Sequence, residues 1–599
     1  MFSTVMVANR GEIARRVFRT CRRMGLRTVA VHTDLDAEAP HVREADAALR
    51  VESYLDVEEM VAAAVAAGAD AVHPGYGFLS ERAAFATALE AAGVTLVGPT
   101  AAVMEQMGRK DAARELAVAA GVPVVPAYDL DDDPASWTFP VLVKAAAGGG
   151  GKGMRVVRSA DGLAEAVAAA RREAASAFGD DTLLVERYVE RGRHVEVQVV
   201  GDTHGTVIHL GERDCSPQRR HQKVLEEAPA PTLDEATRQQ VRQSAVDLAA
   251  HVGYTGAGTV ELLLDADSGD FYFLEMNTRL QVEHPVTEMV TGLDLVELQL
   301  RVAAGEPLPV RQDDVRLTGH AIEARVYAED AYAGFLPQAG TATHVRWPEG
   351  PGVRVDHALE SGQVVSTAYD PMLGKVVAHG RDRAQARQRL VEALDGTAVL
   401  GLTTNAGFLR ALAASEEFAD AAVDTAWLDR HELPAPDPGE ARRLAAWAAY
   451  DAGRTPSGPW RSDGFRLGGP PAEPVVHLDE PVRLAGPAPA GVVARVTDDH
   501  VEVVAHGQRF DFPRPDPFAD PVAVAGDGTV LAPMPGTVLD VRVAEGDQVG
   551  AGQVLGVMEA MKMELSLTAD VAGTVDLVGA AAGDRVQLGA VLFRVVPDE

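Results

Sequence analysis

Cysteine is scarce: Cys21 and Cys215 are the only two in 599 residues. Two thiols cannot staple a chain of this size through a disulfide framework, which favours a reducing compartment. Long apolar runs are missing as well, and no stretch approaches the roughly 18–20 residues of a membrane span. The opening MFSTVMVANRGEIARRV carries charge within ten residues and reads as a strand entering a helix, not as a signal peptide. Basic residues are outnumbered, 55 against 88 acidic, for a formal charge of −33. That balance argues against a nucleic-acid or anionic-membrane partner, because both need a basic footprint. A cytoplasmic protein is the expectation.

Lysine is rarest of the charged residues. Only Lys110, Lys144, Lys152, Lys223, Lys375 and Lys562 occur, so nearly all of the 55 basic residues are arginine. Where generic surface cations have become Arg, the remaining lysines mark candidate sites that need a compact ammonium or a reactive amine.

The length exceeds one compact core and implies three or more domains. Residues 1 to about 110 alternate β-rich runs (TVMVANR, RTVAVHT, AVHPG, VTLVGP) with alanine-rich helical stretches at 57–68 and 82–92, the rhythm of βαβ units and a parallel sheet. A strand, FPVLVKAAA, leads into Gly148, Gly149, Gly150, Gly151, Lys152 and Gly153. Further strands follow at 183–212, then a hairpin, TVELLLDADSGDFYFLEMN, at 259–277. Pro-rich breaks at 433–440 and 514–521 flank a Gly- and Pro-studded stretch with a short helical start and antiparallel β content. The last segment repeats itself: Gly536-Thr-Val recurs at Gly573-Thr-Val, an offset of 37 positions. Two such units form a pseudo-symmetric flattened barrel, with EAMKME and its Lys562 on the hairpin joining the halves.

The glycine run is either a phosphate-covering loop or a flexible turn; it is no Walker A motif, since Gly153 follows Lys152. Glu261, Glu275 and Asn277 lie on the two arms of the hairpin, as oxygen ligands for Mg²⁺ or as solvated strand charges. Arg279, Gln281 and Glu283 alternate along one face, which suits holding and deprotonating a small planar anion or forming a salt-bridged surface. His221 and Lys223 follow Arg219 and Arg220 as a phosphate-facing patch or a turn.

These pieces, in this order, resemble the α subunits of biotin-dependent acyl-CoA carboxylases. The matching text is ANRGEIA, HPGYGFLSE, GGGGKGM, ERDCSPQRRHQKVLEEAPAP, EMNTRLQVEHPVTE, YDPMLGK, TNAGFL, APMPG and EAMKM, spread over nearly the whole chain. The resemblance implies a multidomain α/β and α+β protein. Its parts are an ATP-grasp biotin carboxylase, a β-rich linker domain and a C-terminal all-β flattened barrel of biotinyl/lipoyl type. The implied boundaries are 1–112 for the N-terminal α/β domain, 113–320 for the ATP-grasp domain with a mobile lid at about 130–200, and 321–440 for the C-terminal carboxylase domain. The linker that docks the partner follows at 441–525 and the carrier at 526–599.

By the same resemblance Lys110, Lys144, Glu186 and His194 contact ATP, with the glycine loop as phosphate lid, and Gln218 and His221 are counted among the cofactor-binding residues. Glu261, Glu275 and Asn277 bind Mg²⁺ or Mn²⁺. Arg279 and Gln281 hold bicarbonate, Glu283 deprotonates it, and Lys223 sits near bicarbonate and the transferred phosphoryl group. Arg354 stabilises the biotin enolate and Lys562 carries biotin covalently. The stretch outside carboxylase and carrier is too short for a carboxyltransferase. A separate carboxyltransferase β subunit is therefore implied, in a hetero-oligomer, together with a biotin protein ligase. The linker text and EAMKMEL lean toward 3-methylcrotonyl-CoA or a related acyl-CoA over acetyl- or propionyl-CoA. Two other readings are a different ATP-grasp ligase, joining a carboxylate to an amine, and a non-catalytic lipoyl-type scaffold. Pro217 replaces the aliphatic residue or Met expected in ERDCSPQRR, which is expected to disturb the surroundings of Gln218.

Overall fold

The computed structural model describes residues 2–145, 154–219, 222–454, 472–515, 528–533, 535–560, 563–587 and 589–597. Gly148 to Gly151, His221 and Lys562 lie outside them.

The N-terminal βαβ rhythm yields a five-stranded sheet: β1 (Thr4–Val7), β2 (Arg27–His32), β3 (Ala47–Arg50), β4 (Ala71–His73) and β5 (Thr95–Leu96), ordered β3-β2-β1-β4-β5 and all parallel. Helix α1 (Gly11–Arg23) follows β1 and buries Ile13, Val17 and Phe18. A small antiparallel sheet comes next: β6 (Ala127–Tyr128), β7 (Val141–Ala145), β8 (Arg155–Val157) and β9 (Leu183–Arg187), covered by the helix Leu163–Phe178. Of the stretch expected as a lid, this sheet takes residues up to 187. From Gly192 onward the chain belongs to a different, larger sheet.

That sheet is the spine of the molecule. It contains β10 (Gly192–Gly201), β11 (Val207–Asp214), β14 (Leu225–Ala228), β15 (Gly256–Asp265), β16 (Phe271–Asn277), β17 (His320–Tyr327) and the strands Met372–Gly380 and Val353–His357. The order is β16-β15-β10-β11-β14-β17, then Met372–Gly380 and Val353–His357. Between β11 and β14 the short pair β12 (Gln218–Arg219) and β13 (Gln222–Lys223) forms a separate hairpin. Because β14 pairs antiparallel with β17, one sheet runs through the point near 320 where two domains were expected to meet.

β17 explains how the sheet serves two masters. In HAIEARVY the residues Ile322, Ala324 and Val326 face the helices Arg383–Gly396 and Ala406–Ala414 in an apolar core, while Glu323 and Arg325 face the other way.

Beyond it, the helix Gly439–Ala452 packs Ala441, Ala445 and Ala446 against antiparallel strands that include Val493–Val496, His500–Ala505 and Gln508–Pro513, the β-rich linker expected from the sequence. The C-terminal segment forms two four-stranded sheets. Strands Gly536–Val541, Gln548–Val549 and Val554–Ala560 recur at Gly573–Val578, Arg585–Val586 and Val591–Pro597, each at the offset read from the sequence. The short strand of each repeat pairs with the first strand of the other, so neither half closes alone. No helix among the described residues is long and apolar enough to cross a membrane.

Candidate active site

The centre of the site is a lysine among three carboxylates. Lys223 Nζ donates to Glu196 Oε2 at 2.7 Å, Glu283 Oε1 at 2.7 Å and Glu261 Oε1 at 3.2 Å. Its ammonium is buried, which alone lowers its pKa, but the three carboxylates outweigh that and raise it well above the ordinary lysine value. Lys223 reaches them because β12 and β13 form a hairpin in which Gln218 pairs with Lys223. Pro217 lies just before the hairpin, and its carbonyl accepts from Val224 N at 3.0 Å.

Glu261 and Glu275 oppose each other across β15 and β16, and the register shifts immediately after Glu261. Such a bulge re-aims side chains near a site. Burial raises the pKa of Glu275, and the Glu261 charge adds to it while Lys110 pulls it down. Glu261 is pushed up by burial, yet Lys223 and His194 hold it well below the usual carboxylate range. His194 Nε2 lies 2.8 Å from Glu261 Oε2. Asn277 Nδ2 donates to Glu261 Oε1 at 2.9 Å, and its Oδ1 accepts from Arg279 Nη2 at 2.7 Å. Two facing carboxylates whose charges repel, beside an amide oxygen, are a donor set that a divalent oxygen-seeking cation fits.

Gln281 Nε2 donates to Glu261 Oε1 at 2.7 Å, and its Oε1 accepts from Arg213 Nη2 at 2.8 Å. Arg279 Nε stands 3.2 Å from Glu81 Oε2. The segment carrying Arg279, Gln281 and Glu283 is not a strand. Glu283 caps the helix His284–Thr291, and this turn delivers it to Lys223. Burial pushes Glu283 up, but Lys223, Arg325 and Arg213 together hold it well below the ordinary glutamate value.

Of the residues expected to contact ATP, Lys144 and Glu186 lie on the small sheet and His194 on the large one. Lys144 Nζ is 2.5 Å from Glu186 Oε2, and Arg114 Nη1 is 3.1 Å from Glu186 Oε1. Lys110 opens the helix Lys110–Ala119; burial lowers its pKa, with Glu275 opposing and Lys144 reinforcing.

Arg354 pairs with Glu288 and Asp356 and not with Glu283. Its guanidinium donates to Glu288 Oε2 at 2.7 Å and Asp356 Oδ2 at 2.5 Å, and Arg16 shares Glu288. The arginine on Glu283 is Arg325, whose Nη2 donates to Glu283 Oε2 at 2.9 Å. Asp356, two residues along the same strand, captures Arg354 instead. Three groups escaped the motif reading: Arg325, Glu196 and the fully buried Arg213, which donates to Glu196, Gln198, Thr287, Thr259 and Gln281. Arg325 carried no distinguishing signal, since it alternates with apolar residues in EARVY as Arg354 does in GVRVD.

Comparison with known proteins agrees with this arrangement. Residues 1–104 match the biotin carboxylase N-terminal domain, 109–311 the carbamoyl-phosphate synthase L chain ATP binding domain, 323–430 the biotin carboxylase C-terminal domain and 528–595 the biotin-requiring enzyme family. The methylcrotonoyl-CoA carboxylase subunit alpha of Oryza sativa subsp. japonica is 41% identical over 99% of this chain and 94% of its own length. The propionyl-CoA carboxylase alpha chain of Ruegeria pomeroyi is also 41% identical, over 99% of this chain and 100% of its own. The chain belongs to the acyl-CoA carboxylase α subunits.

A biotin carboxylase from Campylobacter jejuni, solved with an ATP ligand, is 43% identical and superposes with a TM-score of 0.70 over 72% of this chain and 99% of that one. This α subunit therefore joins an ATP-dependent biotin carboxylase to a biotin carrier domain, and biotin, ATP and Mg²⁺ are its cofactors. The carboxylate–amine ligase and inert-scaffold readings are set aside by this membership.

Proposed function

We propose that Glu283 is the base that deprotonates bicarbonate, with Lys223, Arg279 and Gln281 holding the anion. The observation that carries this is Glu283 itself, fixed between Lys223 and Arg325 beside the Glu261–Glu275–Asn277 oxygens. A carboxylate kept ionised in a buried site is ready to accept a proton. Lys223 lies where it neutralises charge as ATP phosphorylates bicarbonate. Lys110, Lys144, Glu186, His194, Gln218 and His221 bind the nucleotide, and the glycine run Gly148–Gly151 serves as its phosphate lid. Arg325 takes the role that the resemblance implied for Arg354.

Glu261, Glu275 and Asn277 would hold Mg²⁺, which when bound offsets phosphate charge. Lys562 would carry biotin, which supplies the ureido nitrogen that accepts the carboxyl group. The paired strands Val554–Ala560 and Met563–Thr568, which flank Lys562 in the sequence, support this reading.

A carboxyltransferase β subunit completes the cycle, bound through the linker at 441–525, and a biotin protein ligase loads Lys562. The acyl-CoA of this reading is 3-methylcrotonyl-CoA or a close relative, and the location is the cytoplasm, in keeping with two buried free thiols. The deciding experiment is bicarbonate-dependent ATP turnover with free biotin. Turnover that ignores biotin, or survives intact in Glu283→Gln, removes this assignment.

A further inference from the structure

Behind Glu283 lies a pair of carboxylates with no assigned role. Glu226 on β14 and Glu323 on β17 are direct partners in the antiparallel register, so their side chains leave the same face of adjacent strands about 5 Å apart at Cβ. Both are buried, at 1% and 0% exposure. Among their four carboxylate oxygens only Glu226 Oε1 has a hydrogen-bond partner, the Nε of Arg325.

Two ionised carboxylates at this separation on a buried sheet face are not sustainable, since Arg325 offsets only the Glu226 charge. The neighbouring cations are occupied. Lys375, which pairs with Arg325 in the next register, donates to Val282 O at 2.7 Å and lies 3.2 Å from Glu12 Oε1; Tyr76 also donates to Glu12. Lys223 is taken by Glu196, Glu261 and Glu283. His284, on the helix packed over this face, is kept neutral chiefly by burial. Opposite Glu323 on the strand Met372–Gly380 stands Val377, which offers nothing.

We propose that Glu226 and Glu323 hold one proton between them and thereby position Arg325 against Glu283. The positioning half rests on the reading of Glu283 as the base; the shared proton does not. Arg325 spans the two sites, Nε on Glu226 and Nη2 on Glu283. With one proton in the pair, the guanidinium faces one negative charge on each side. With none, three carboxylate charges compete for it and Glu283 becomes harder to keep ionised; with two, Arg325 acts on Glu283 alone. Burial drives Glu323 well above the ordinary glutamate value, with Lys375 opposing and Glu226 reinforcing. Burial likewise lifts Glu226 to about 7 against the pull of Arg325. The two titrate as a pair. Neither carboxyl touches the reacting atoms, so both are positioning residues.

The test uses the full-length biotinylated protein. In infrared difference spectra of parent minus Glu323→Gln at neutral pH, a carbonyl stretch of a protonated carboxylic acid is expected, fading as pH rises. Glu226→Gln is expected to shift that band in frequency, because it changes the hydrogen-bond partner of Glu323, which keeps the test alive if Glu323→Gln does not fold. In the pH profile of biotin carboxylation, Glu226→Gln removes the negative charge of the pair, so the acid limb moves down by roughly one pH unit. Glu323→Gln keeps that charge, leaves the acid limb in place and moves the alkaline loss upward. A spectrum in which neither variant alters a protonated-acid band, or two variants with the same pH profile as the parent, overturns the proposal. Failure of Glu283 as base shows separately, as carboxylation retained in Glu283→Gln, and leaves the infrared result standing.

Discussion

Lys223 Nζ stands 2.7 Å from Glu283 Oε1, in a chain that keeps only six lysines. A compact ammonium can sit among three carboxylates at once, and a planar guanidinium cannot replace it there. Lys223→Arg is therefore expected to lower kcat for biotin carboxylation by at least about 10-fold while ATP binding persists. Parent-like turnover in that variant would show that only charge is required.

Removing the base should be more severe. Glu283→Gln keeps the shape but cannot accept a proton, so bicarbonate-dependent turnover should fall about 100-fold or more. Nucleotide binding, followed by fluorescence or calorimetry, should stay within about 2-fold, since the residue makes no contact with Lys144 or Glu186.

Arg325 and Arg354 separate by what each variant loses. Arg325→Lys cannot bridge Glu226 and Glu283 together and is expected to reduce kcat by roughly 10–100-fold. Arg354→Ala takes one of two arginine partners from each of the buried Glu288 and Asp356, which keep Arg16 and Arg19, and should instead cost about 1–3 kcal/mol of stability, read in urea unfolding. The opposite pattern, a stable Arg354→Ala protein without catalysis, would return the role to Arg354.

Cation demand gives a fourth check. Glu275→Gln removes one of two facing carboxylates, so the Mg²⁺ concentration for half-maximal ATP turnover should rise at least about 10-fold. An unchanged Mg²⁺ requirement would take Glu275 out of the metal site.

Acid should unfold the N-terminal domain through its histidines. Burial lowers the pKa of His41 and of His73 to about 4, below the unfolded value of about 6.5. The unfolded chain then binds more protons, so stability is full above about pH 6.5 and falls toward pH 4, by up to ~1.4 kcal/mol per pH unit for each histidine. Unfolding midpoints measured across that window should track this slope, and His73→Gln, which retains a partner for Gln299, should flatten it.

The sequence by itself determined the parallel N-terminal sheet, because βαβ rhythm is a local pattern. It also determined the carrier repeat, because a fixed offset of 37 survives in the strand boundaries themselves. The resemblance carried Lys223, Glu261, Glu275 and Glu283 to one place, and they do converge. Only the tertiary structure decided which arginine meets Glu283. Arg325 and Arg354 stand on strands separated by Met372–Gly380, and nothing local distinguishes them; strand order puts one beside Glu283 and lets Asp356 claim the other. The same holds for Glu226 and Glu323. They are nearly 100 residues apart in sequence, and only the register between β14 and β17 makes two ordinary strand glutamates into neighbours that must share a charge.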